Sequence, residues 1–145
     1  MTLPTIHTSR GALRPAILGA ALVATLASAA MAKPDLRDSD EVFSRIMTTA
    51  IANEIRDKCE TIKARKIAAT FYVLGVVKYA KDLGFTSEEI DDYRFDPIQQ
   101  ERLRVAVHAF LDENGVDRED PASYCPLGKR EINAKSQIGK LLKSK

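Results

Sequence analysis

From residue 38 onward, apolar residues recur at three- and four-residue steps, and no alternating run is long enough to suggest a strand. The first helix, capped by Asp38 or Ser39, is predicted to reach about Cys59 on a stripe of Phe43, Ile46, Met47, Ala50, Ile51, Ile55 and Cys59. Its later steps are all fours, so the stripe drifts and brings Glu54 and Lys58 close to the apolar side. Glu one turn N-terminal to Lys is the favourable order for an ion pair. The second helix, roughly 63–83, has Ile67, Phe71 and Leu74 on one face and Ala69, Tyr72, Val73, Val76, Ala80 and Leu83 on the other. A helix apolar nearly all round is expected at the centre of a bundle, which requires a break at Glu60-Thr61. Gly75 inside it costs about 1 kcal/mol relative to Ala unless a neighbour approaches closely there.

The remaining elements announce themselves by their caps. Gly84 suits a left-handed position, and Thr86-Ser87-Glu88-Glu89 is a capping box for a short helix through Ile90 and Tyr93. Asp96-Pro97 restarts the chain with a fourth helix that should bury Ile98, Leu103, Ala106, Val107 and Phe110 and end near Asn114-Gly115. Asp120-Pro121 opens a turn carrying Tyr124 and Cys125, and Pro126 restricts the backbone next to it. Leu127 to Ala134 is a further helix, and Ser136 to Lys143 a frayed last one. The expected fold is all-α: a compact bundle of five or six helices stapled by one disulfide.

Composition agrees with a globular domain, at 45% hydrophobic and 29% charged. The N-terminus changes the picture. Residues 1–32 read as a cleaved secretory signal peptide: Arg10 and Arg14, an apolar run from Ala16 to Ala27, then Ala30-Met31-Ala32 before Lys33. That run is short for a membrane span. No Cys lies near the cleavage point for a lipid anchor, and no twin Arg precedes the run, so the general secretory route to the periplasm or medium is expected. The mature part, 33–145, is then a single helical domain with a basic C-terminal segment, 129–145. Removing Arg10 and Arg14 removes the whole formal charge of +2. What is left is segregated, with 13 basic against 19 acidic residues over 35–120 and six against one over 129–145. Cys59 and Cys125 are the only cysteines, and in an oxidising compartment they should pair.

Candidate chemistry is thin. Asp112-Glu113-Asn114-Gly115 resembles a calcium loop only until Gly115 is set at the sixth position, which puts Phe110 first and Pro121 twelfth, where carboxylates are needed. His108 is the lone histidine of the mature part, too few for zinc, and is expected to pair with Asp112 one turn on. Glu54 is the candidate functional acid if buried and perturbed, and otherwise a boundary partner of Lys58. The acidic run Glu88, Glu89, Asp91, Asp92 and Asp96 fits helix starts without a ligand. Lys129, Arg130, Lys135, Lys140, Lys143 and Lys145 of the tail are the candidate partner contacts. Its Ile132, Ile138, Leu141 and Leu142 are expected to pack on the bundle, because the six-residue step from Ile132 to Ile138 makes a poor membrane face. No catalytic constellation, metal site or cofactor motif is read here, and nucleic acid is not an expected target of an exported, formally neutral domain.

Three segments carry a resemblance: Ile51-Ala52-Asn53-Glu54-Ile55-Arg56 leading to Cys59, Asp120-Pro121-Ala122-Ser123-Tyr124-Cys125, and Ser136-Gln137-Ile138-Gly139 before Leu141-Leu142. Together they resemble a family of short exported alphaproteobacterial proteins, of the Rhodobacter–Roseobacter kind, classed as a domain of unknown function. Pro126 departs from the family's pattern and puts in question a helix continuous through Cys125. The resemblance implies export, one disulfide and a helical domain, and no activity. The expected function is therefore that of a non-catalytic envelope or periplasmic binding or accessory protein with a protein partner, and no membrane association is expected once the signal is removed. The alternatives are a conditional periplasmic chaperone and a small enzyme using Glu54 or His108.

Overall fold

Ser39 accepts a hydrogen bond from the Val42 N–H and starts helix α1, Asp40–Lys58. The computed structural model describes residue 33 and residues 35–145, so the signal-peptide reading of 1–32 lies outside the described residues. After α1 come strand β1 (Ile62–Ala64), α2 (Lys66–Asp82), α3 (Ser87–Phe95), α4 (Pro97–Glu113), α5 (Tyr124–Ala134), α6 (Gln137–Lys140) and strand β2 (Leu142–Ser144). Single 3-10 turns lie at Leu36–Asp38 and Pro121–Ser123. The all-α class, six helices and Cys59–Cys125 disulfide agree with the sequence expectation. The capping box at Thr86 and Glu89 is formed as read, and Asp96-Pro97 starts α4 as read, but Gln99, which stands in the box position there, does not complete a box: its Oε1 is buried with no hydrogen-bond partner among the described residues.

The drifting stripe of α1 makes it the central helix. Near its start, Val42 packs with Leu36, Val76, Ala80, Phe85 and Tyr93 in a smaller core. Near its end, Ile51, Ala52 and Ile55 enter a larger core with Ile62, Val107, Leu111, Tyr124, Leu127, Ile138, Leu141 and Leu142. A step of four residues advances a face by about 40°, so a stripe built on fours winds around the helix and serves a different neighbour at each end.

Several expectations need correction. The second helix is peripheral rather than central: only Val76 and Ala80 are buried, while Ile67 is 76%, Phe71 70% and Leu74 57% exposed. Because α1 holds the middle, α2 packs against α1 and α3 with one face and leaves the opposite face exposed. Gly75 serves no close approach, since a Cβ there would meet nothing within 4 Å. Ile98, expected inside, is 74% exposed on α4. The tail does not end as a frayed helix: α6 is a single turn, and β2 pairs antiparallel with β1 in the register Ile62–Ser144, Lys63–Lys143, Ala64–Leu142. Strands this short show no period, and their partners lie some 80 residues apart in sequence. Finally, α5 does run through Cys125 and Pro126. Pro126 is its third residue, where the missing N–H would have had no partner within the helix.

Candidate binding surface

The β1–β2 pair and the start of α2 gather what the sequence holds apart. Ile62 and Leu142 point inward and are almost fully buried, so the alternation of side chains puts Lys63 and Lys143 together on the outer face. The Arg65 N–H donates to the Leu141 carbonyl at 2.8 Å, which brings Lys140 near Arg65 and Lys66, and the Lys145 N–H donates to the Thr61 carbonyl at 2.9 Å, which sets Lys145 at the other end of the strand pair, next to the Lys63–Lys143 pair. All six side chains are exposed, and none joins an ion pair among the described residues. Directly along α2 from this cluster stand Ile67, Phe71 and Leu74. Their steps of four and three place them on one face, opposite Val76 and Ala80.

The sequence reading named only part of this surface. Of its six tail residues, Lys140, Lys143 and Lys145 belong here. The other three sit on α5 or its end: Lys129 is exposed, Arg130 donates to the Asn114 Oδ1 at 2.6 Å, and Lys135 caps the helix in the left-handed conformation, φ 51°. The missed residues are Lys63, Arg65, Lys66, Ile67, Phe71 and Leu74. For the three apolar ones the signal was present in the all-round apolarity of α2, which also fits a peripheral helix that shows one face to a partner. As expected, Ile138, Leu141 and Leu142 pack into the core.

The other candidates fall elsewhere. Glu54 is half-buried on α1 and makes no ion pair with Lys58 among the described residues. Burial, followed by the negative charge of Glu54, raises the Tyr124 hydroxyl above its ordinary range. His108 is not paired with Asp112. Its Nδ1 accepts from Arg118 at 3.1 Å and Arg104 at 3.5 Å, while Asp112 accepts from the Arg118 Nε at 2.9 Å. Arg118, ten residues along the chain, reaches between them. The acidic run is used structurally in part. Glu89 caps α3 and binds Lys33, and Asp96 caps α4 and binds Arg37 at 3.0 Å. No group of three metal-ligating side chains converges among the described residues.

The described residues form clefts of two kinds. One, about 370 Å³, lies between α1, α2 and α3, lined mainly by apolar groups including Ile46, Val73, Val76 and Val77, with Lys81 and Arg94 among its polar residues. The other, about 310 Å³, is polar and surrounds the Lys33–Glu89 pair. Neither Glu54 nor His108 lines either one. No helix among the described residues is long and apolar enough to cross a membrane.

Residues 34–143 match a family described as "Family of unknown function (DUF5333)". The chain belongs to this family. The match covers both cysteines, all six helices and nearly all of the cationic and apolar surface, so these features fall inside the family's domain. No curated protein and no solved structure matches the chain.

Proposed function

We propose that this DUF5333 protein is an exported, non-catalytic helical protein that works by binding in the bacterial cell envelope, and that the outward face of α2 with the cations around β1–β2 is its contact surface. The observation that supports this most is the joint exposure of Ile67, Phe71 and Leu74 on one helix face. Each stays in water although burial of apolar area is worth about 25 cal/mol per Å², and contiguous apolar patches mark interaction sites. Export rests on the reading of residues 1–32, on a disulfide of the kind that persists in oxidising compartments, and on the resemblance to exported alphaproteobacterial proteins.

The test is retention. The wild-type protein and a Phe71→Ser variant are followed through fractionation of the native envelope after mild crosslinking. The wild type should stay with the envelope and the variant should be released. Equal retention of both overturns the reading. A conditional chaperone would use the same apolar face, but only after acidification had enlarged it. Unchanged binding of an apolar dye between neutral and acidic pH excludes that alternative.

A further inference from the structure

Resting on that binding function, we propose that the occupant of this surface is an anionic phospholipid bilayer, on which α2 lies flat with Ile67, Phe71 and Leu74 among the headgroups. The shape of the surface favours a plane. The three side chains stand on the convex outer face of a helix, not in a groove, and span about 10 Å along its axis. An interfacial helix buries such a face by about 5–10 Å and keeps its cations at headgroup level.

The charges favour lipid over a protein partner. Lys63, Lys66, Lys140, Lys143 and Lys145 stand against a single Arg65. Protein interfaces are enriched in Arg and depleted in Lys, because the planar guanidinium pairs with carboxylates in a fixed geometry. The compact, strongly hydrated ammonium suits a diffuse negative surface. Lys63 and Lys143 also face each other directly across the strands, an arrangement that repels unless negative charge is supplied from outside. A second copy supplies little, because Asp82, the one acid of α2, is already paired with Lys78 at 2.6 Å. Packed antiparallel, two α2 faces would bring Lys66 toward Lys78 and Lys81, and packed parallel they would bring Lys66 toward its own counterpart. The tail alone does not make this surface. Its cations become part of one through the pairing of β2 with β1.

The test uses the exported protein, purified from its native envelope, and vesicles of phosphatidylcholine with or without about one-third phosphatidylglycerol. The protein should sediment with the anionic vesicles, much less with the neutral ones, and the binding should weaken with salt. Lys63→Gln and Lys143→Gln should each weaken it about fivefold, and Phe71→Ser at least about tenfold. All three positions are exposed, and unchanged circular dichroism verifies that each variant is folded. No binding to anionic vesicles, equal binding to neutral ones, or indifference to these substitutions overturns the lipid proposal. If Phe71→Ser still releases the protein from the native envelope in that case, the binding reading stands with a protein partner. If Phe71→Ser instead dissolves a dimer in sedimentation velocity, the occupant is a second copy. If it changes neither, both readings fail.

Discussion

Gly139 shows how narrowly some single positions are set. A Cβ there would fall on the Glu131 carbonyl group and the Ile132 nitrogen, which are backbone atoms that cannot turn aside. Gly139→Ala should therefore destabilise the protein by about 3 kcal/mol or more, at the upper end of what overpacking costs. Gly75, in open space on α2, should respond with the opposite sign: Gly75→Ala gains about 0.5–1 kcal/mol, and urea denaturation of both variants checks the contrast. Glu89 and Asp96 add a dependence on pH. Lys33 and the Thr86 N–H hold Glu89 below its ordinary value, and the Ile98 N–H and Arg37 do the same for Asp96. A carboxylate lowered on folding stabilises above its unfolded pKa, and that stability is lost as pH falls. Stability should drop below about pH 5, and Glu89→Gln and Asp96→Asn should be less stable at neutral pH and flatter across the acid limb of a pH–Tm profile.

Elements here are tied by links that cross the chain. Cys59 closes α1 and Cys125 lies at the start of α5, 66 positions later. By chain entropy a loop of that length is worth about 4 kcal/mol, so reduction should lower the denaturation midpoint by a corresponding amount at unchanged helix content before the transition. Helix starts were legible because a cap is a local hydrogen bond: Thr86, Asp96 and Ser39 each accept one from the N–H of a residue two or three places on. The β1–β2 pair was illegible for the converse reason. Three residues give no period, and the partner strand is supplied by distant sequence. The inverted role of α2 has a similar origin, since periodicity shows which faces are apolar and not which of them another element covers.

For the whole molecule, the charge segregation read along the chain changes meaning on folding. The basic tail is divided: Lys129, Arg130 and Lys135 go with α5, while Lys140, Lys143 and Lys145 join Lys63, Arg65 and Lys66 around the strand pair. Lys33 is tied to the body as well, with its ammonium 2.6 Å from Glu89, 3.1 Å from the Gly84 carbonyl and 4.5 Å from the centre of the Phe85 ring. If export removes residues 1–32, Lys33 becomes the first residue of the mature protein. N-terminal sequencing of the envelope form should begin Lys33-Pro34-Asp35, and a start upstream of Lys33 would refute cleavage after Ala32.

By itself the sequence determined the helical class, the caps that start the helices, and the cysteine pairing. Each arises from interactions within a few residues or from a pair with no competitor. Tertiary structure alone decided which helix is central, which apolar face stays in water, and which lysines meet. Those depend on which elements compete for the same neighbour. In a bundle this small α1 occupies the middle, and the outer face of α2 is left uncovered.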